Sequence, residues 1–411
     1  LSVDHIPRSD ILRRIEEDRE RHKQLREESW KLPPMTYMAD LVSENPVPAG
    51  IRSEAGKDTY CTPDAVTLEF EQTWETTSDL NDDDVEVIRE ETALWWGADR
   101  DVRLYSYATA PGGDATFTLA DVIPTGHKRT VRHVSWAPSG DMFATASFDT
   151  TVGIWERIPE GDGPVWDCAG TLEGHDSECK SVEFSHNGSL LGTCSRDKSV
   201  WVWEVQQEAE FEVLSVMMEH SQDVKCVAWH PKEEILASAS YDDTIKLYID
   251  DPSEDWFCYT TLTGHTSTVW SLAFSPCGNY LASGSDDTTI RIWRRHSAQE
   301  CAEKGIEPDG KVPGRGGDKW IECHRITGHF SRSIYSISWA PDEDMGKIAA
   351  AGADGKIVVF ALHNGDDISS EVIAKIDRAH GISDINCVAW SPDAQMLASA
   401  GDDGNVHIWA I

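Results

Sequence analysis

From about residue 95 onward, short apolar runs alternate with small and polar residues, and the alternation itself recurs. Stretches such as TVRHVSWAPSG and TVWSLAFSPCG, each followed by a run like LASAS or LASGS, place apolar side chains at every second position. That period is the one of half-buried strands, and the Pro, Asn and Gly residues between the runs predict tight turns. One phrase closes each unit: a small residue, a middle residue, an Asp, a short polar stretch, then an apolar strand ending in an aromatic. It occurs at Gly97, Ser147, Ser195, Ser240, Ser285, Gly352 and Gly401, with its Asp at Asp99, Asp149, Asp197, Asp242, Asp287, Asp354 and Asp403. A His precedes six of the seven, at His127, His175, His220, His265, His329 and His380; the first four stand 22 residues before their Asp, the last two 25 and 23. About 45 residues per unit with four predicted strands is the period of a β-propeller blade. The expected fold is all-β, a seven-bladed propeller over residues 95–411 whose first blade is incomplete.

The two motifs at fixed separation resemble the WD40 family. The resemblance implies a hydrogen-bonded tetrad in each full blade: His127, Thr145, Asp149 and Trp155; His175, Thr193, Asp197 and Trp203; His265, Ser283, Asp287 and Trp293; His380, Ser399, Asp403 and Trp409. The blade of His220, Ser238 and Asp242 ends in Tyr248, and the blade of Asp354 has Ala350 and Phe360 where a hydroxyl and a Trp are expected, so both tetrads are incomplete. Half-buried Asp and His side chains need partners, which these groupings supply. An Asp-Ser/Thr-His grouping also suggests a hydrolase, but repetition argues against it, because one active site needs no six copies.

The first ninety residues lack the repeat. SDILRRIEEDRERHKQLREESW, from Ser9 to Trp30, is charged and free of Gly and Pro, and Glu17–Arg21 and Glu27–Lys31 are favourably spaced. This predicts a solvated helix within residues 1–34, stopped by Pro33 and Pro34. Residues 35–94 are expected to be loop, disordered or acidic segment, and to supply the closing strand of the last blade, because only two residues follow Trp409. IEEDRERHKQLREESW and LEFEQTWETTSDLNDDDVEVIREE resemble the C-terminal tail of the fungal RNA polymerase C-terminal-domain kinase gamma subunit; set before a propeller, they read as a misjoined gene model or an unusual fusion. Asp79, Asn81, Asp83 and Glu90 match four positions of a calcium loop, but Asp84 stands where its sharp turn requires Gly.

Charge narrows the function. The 72 acidic residues against 36 Lys and Arg leave a net charge of −36, which argues against a nucleic-acid surface. No apolar run is long enough for a membrane helix, and no secretory signal is expected in the sequence as given. The ten Cys form no C-x-x-C pair and read as reduced thiols, so no metal and no cofactor are expected.

In the WD40 family, residues just before the turn Asp and those opening the innermost strands project onto one face beside the central channel. Here these include a basic and aromatic sector of Arg132, Lys180, Arg196, Lys225, Tyr241 and Trp270, with Phe148 and Tyr335 beside it and Asp286 and Asp402 on other blades. Arg pairs bidentately with carboxylates, and Trp and Tyr are strong anchors. The runs HKRTVRHVSWAPSGDMFATASFDTTVGIWER, LGTCSRDKSVWVWE and EHSQDVKCVAWHPKEEILASASYDDTIKLY resemble the cytosolic iron–sulfur assembly WD40 family, over about three-quarters of the chain. That resemblance implies a non-catalytic adaptor, cytoplasmic and nuclear. It would join other targeting-complex subunits and help deliver [4Fe–4S] clusters to apoproteins, recognising client tails with an acidic and an aromatic residue, and Arg196 would be a functional surface residue. The alternative is a propeller linked to a transcription kinase through its N-terminal segment. The insert RRHSAQECAEKGIEPDGKVPGRGGD after Trp293 departs from the family pattern and reads as a polar loop on the opposite face.

Overall fold

A computed structural model describes residues 99–109, 115–160, 163–206, 209–251, 255–309, 311–312, 315–316, 318–341, 346–364 and 368–411, together with strands at 36–37, 51–52, 67–74 and 89–96. The expected helix within 1–34 and the acidic Asp79, Asn81 and Asp83 lie outside the described residues.

Six sheets have four antiparallel strands in chain order. Blade 1 comprises Thr67–Trp74, Arg89–Trp96, Asp101–Thr109 and Ala115–Pro124. Blade 2 runs from Val131 to Leu172, blade 3 from Cys179 to Met217, and blade 4 from Val224 to Thr263. Blade 5 runs from Val269 to Ile326 and blade 6 from Ile334 to Ile376. The remaining sheet is built differently: Ile385–Trp390, Met396–Gly401 and Val406–Ala410 are extended only by the two-residue strands Ile51–Arg52 and Thr36–Tyr37. The expectation of seven blades is therefore corrected to six four-stranded blades. The one α-helix among the described residues is Ala298–Lys304, inside the insert read as loop. Ser297 caps it, accepting from the Glu300 amide while the Glu300 side chain returns to the Ser297 amide.

The first strands of the six blades and of the C-terminal sheet contact one another in a closed cycle around the axis. Blade 1 enters this cycle through Thr67–Trp74, which lies against both Val131–Trp136 and Ile385–Trp390. Apolar layers fill the spaces between blades. Leu94, Val102 and Ile123 of blade 1 pack on Trp136, Phe143, Trp155 and Trp166 of blade 2, and Tyr105, Tyr107 and Phe117 pack on the C-terminal sheet. Large aromatics suit this job because each buries so much area in one contact.

At every turn Asp the next residue is left-handed, with φ from 64° to 80° at Arg100, Thr150, Lys198, Asp243 and Thr288, and Gly355 and Gly404 in the same role. Five of the seven turns thus hold a non-glycine residue against its own preference. The Asp holds them by accepting the amide two residues on, as Asp149 does from Thr151 at 3.1 Å and Asp197 from Ser199 at 2.9 Å.

Candidate functional site

Two repeated devices occupy the blades, one inside and one at the mouth of the channel. Inside, His127 Nδ1 donates to Asp149 Oδ2 at 3.1 Å, Thr145 Oγ1 lies 2.9 Å from His127 Nε2, and the Trp155 indole donates to Thr145 Oγ1 at 3.1 Å. His175, Asp197, Thr193 and Trp203 repeat the chain at 2.9, 2.9 and 3.1 Å. So do His265, Asp287, Ser283 and Trp293 at 2.9, 2.8 and 2.9 Å, and His380, Asp403, Ser399 and Trp409 at 2.8, 2.8 and 2.9 Å. In blade 4, His220 meets Asp242 at 2.8 Å and Ser238 at 2.6 Å, with the Tyr248 hydroxyl 3.4 Å from Ser238. Blade 6 has no such chain: His329 packs edge-on to Phe360, and Asp354 binds Lys356 at 2.9 Å. In blade 1, Asp99 pairs with Arg103 at 2.6 Å.

Burial alone would raise the tetrad carboxyls, but hydrogen bonds from the His, the neighbouring hydroxyl and the backbone outweigh it. Asp149, Asp197, Asp242 and Asp287 are held well below the usual carboxylate range, and Asp403 at about 2. Each His is thereby oriented with Nδ1–H toward a permanent anion, and both ring nitrogens are occupied. His407 stacks on His380 at 4.4 Å, and one ligand atom from each of His380, Asp403 and His407 lies within 4.8 Å of the others. Both His380 nitrogens are already engaged by Asp403 and Ser399.

At the channel mouth the device is a β-bulge. In six consecutive inner strands the second residue is skipped by the pairing register: Arg132, Lys180, Lys225, Trp270, Tyr335 and Asn386. A bulge re-aims the unpaired side chain, here alike in all six strands, while the inner strand of blade 1 pairs without one. The residue before each turn Asp is stitched beside it, as Phe148 N donates to Thr130 O, Arg196 N to Glu178 O and Tyr241 N to Asp223 O. The six predicted residues are thus placed along one arc.

Lys180 Nζ sits 3.9 Å from the Phe148 ring centroid; Lys225 Nζ is 5.3 Å from Tyr241 and 5.0 Å from Trp270. Trp270 meets Tyr335 edge-on at 5.2 Å. Burial, helped by repulsion from Lys225 and Arg132, pushes the Lys180 ammonium down to about 8 against the pull of Glu178 and Asp223. Burial also lowers the Arg132 guanidinium, which has no hydrogen-bond or ion-pair partner among the described residues.

The motif search missed the acids threaded through this arc. Glu178 lies 3.3 Å from both Arg129 and Arg196, and Asp223 lies 3.8 Å from Arg196 and 3.4 Å from Lys225. Both stand two residues before a mouth lysine, so aligning the repeats one strand-start earlier would have found them. Ser177, Lys180 and Arg196 hold Glu178 at about 2 although burial opposes it. The basic sector is therefore an alternating strip in which Arg196, 58% exposed at its side chain, is the outermost cation. Asp286 and Asp402 sit at the matching places of blade 5 and the C-terminal sheet, where Asp286 accepts from Ser267 at 2.9 Å and Asp402 from Asn386 at 2.6 Å.

Repeated tetrads, inner-strand bulges and a charged, aromatic mouth define a WD40 β-propeller. The WD domain, G-beta repeat family matches residues 119–156, 166–204, 211–248, 256–294, 320–360 and 372–410. A protein named probable cytosolic iron-sulfur protein assembly protein 1 from Malassezia globosa is 58% identical over 331 residues, covering 71% of this chain and 93% of the relative. Its namesake from Mycosarcoma maydis is 51% identical over 392 residues (76% and 86%), and that from Cryptococcus neoformans var. neoformans serotype D 39% over 406 residues (76% and 92%). The chain belongs to this cytosolic iron-sulfur protein assembly protein 1 family of WD40 proteins. Residues 7–96 match a different family, the CTD kinase subunit gamma CTK3 C-terminus. The first two strands of blade 1, Thr67–Trp74 and Arg89–Trp96, fall within that match.

Proposed function

We propose that this chain is a non-catalytic adaptor of cytosolic iron–sulfur assembly, holding other assembly factors and client apoproteins together while clusters are delivered. The carrying observation is identity of up to 58% with proteins of that name, extending over 93% of a relative's length. The cytosol is the expected compartment from the relatives' names; service to nuclear clients is the finer part of the proposal. Purification of the tagged chain from its host should recover other iron–sulfur targeting subunits at stoichiometric levels, and recovery of the chain alone would refute the reading.

The mouth strip supports a client motif with a carboxylate beside an aromatic ring. Arg196, Lys180 and Arg132 offer cations, while Trp270, Tyr241 and Phe148 offer ring faces; Asp223 and Glu178 reject a misplaced anion. Because Lys180 loses its proton near 8, affinity for such a tail is expected to fall as pH rises from 7 to 9. Fluorescence anisotropy with a labelled acidic-aromatic peptide measures this, and a flat profile would remove Lys180 from the contact. The match at 7–96 favours a second reading, a tether to a transcription kinase. Kinase subunits that copurify with the full chain but not with one lacking residues 1–66 would support it; that deletion spares the strands of blade 1.

A further inference from the structure

The outermost strand of blade 3, Phe211–Met217, is last in its sheet and pairs only with Val200–Val205 among the described residues. An open strand edge templates further pairing, and proteins blunt it with Lys, Pro or short length. FEVLSVM contains no Lys, Arg, Pro or Gly. The corresponding strand of blade 6 carries Lys375 and that of blade 5 carries Lys319 and Arg325. Blade 4's strand buries Trp256, Tyr259 and Leu262. Blade 3 instead leaves Val213, Leu214 and Val216 nearly half exposed, and Met218, just beyond, is 70% exposed. A register shift at Val202/Trp203 bulges Leu214 outward, so three apolar side chains stand free within four residues.

Charge says what would cover them. Glu204 and Glu212 are direct cross-strand partners, both exposed, and Glu210 and Glu219 flank the strand. Like charges directly opposite are destabilising without a counter-charge. A second copy of a chain with 72 acids to 36 bases would bring more glutamates to the same place.

We infer that this edge docks an extended segment of another protein by strand addition. The segment carries alternating apolar side chains for Val213, Leu214 and Val216, and Lys or Arg to meet Glu204 and Glu212. The surface lies on the rim of the disc, apart from the channel mouth, and does not depend on the client reading above.

Panning a displayed random-peptide library against the full chain tests it. The expected peptides alternate apolar residues with Lys or Arg, and raise hydrogen-exchange protection at residues 211–218. Their affinity should fall at least about tenfold in Val216→Lys, and Glu212→Lys should remove the preference for basic residues, with both melting temperatures near the parent's. Peptides that bind Val216→Lys undiminished, or show no basic preference, overturn the proposal. So does a concentration-dependent dimer in sedimentation that Val216→Lys abolishes, since the edge would then belong to a second copy.

Discussion

Asp197→Ala is expected to lower the unfolding free energy by about 3 kcal/mol, the range for breaking a buried network. The carboxylate receives His175 Nδ1–H at 2.9 Å, the Asp176 amide at 2.9 Å and the Ser199 amide at 2.9 Å. Removing it leaves several donors without an acceptor, and stranded buried donors cost more than their bonds contribute. The left-handed Lys198, φ 76°, also loses the side chain that braces its turn. Asp99→Ala is the control: Asp99 pairs with part-exposed Arg103 and belongs to no tetrad, so its cost is expected to be under half as large. Urea denaturation of both variants measures the difference. Equal losses would mean that the tetrad adds nothing beyond the turn.

Arg196→Glu is expected to leave folding almost unchanged and to weaken client-peptide binding by about 2–3 kcal/mol, or roughly a hundredfold. Its contacts to Glu178 and Asp223 are exposed and long, at 3.3 and 3.8 Å, and such pairs contribute little to stability. Reversal would place a third anion beside two existing ones, where an incoming carboxylate needs a cation. Calorimetric titration with the peptide, alongside a melting curve, separates the outcomes. A large fall in melting temperature would assign Arg196 to the scaffold, and unchanged affinity would take it out of the site.

The two variants differ because the two devices differ in how local they are. The tetrad joins a His, a hydroxyl, an Asp and a Trp spaced by two strands and a turn, so constant strand length makes constant spacing, and the pattern was readable along the chain. The mouth strip joins residues of neighbouring blades. Its cations could be read from the repeats, but the contacts of Arg129 with Glu178 and of Arg196 with Asp223 exist only once neighbouring blades stand side by side.

The amino-acid sequence by itself determined the all-β blades, their turns, the tetrad members and the family, because each is set within some 45 contiguous residues by alternation and hydrogen-bonding need. Only the tertiary structure decided how the ring is built. It draws the inner strands of blade 1 from motif-free residues 67–96 and leaves six four-stranded blades, with a C-terminal sheet packed on Tyr105, Tyr107 and Phe117. It also decided that the apolar edge at Val213–Met218 stays outside, since a period-2 pattern gives a strand two faces but does not say which neighbour, if any, covers its edge.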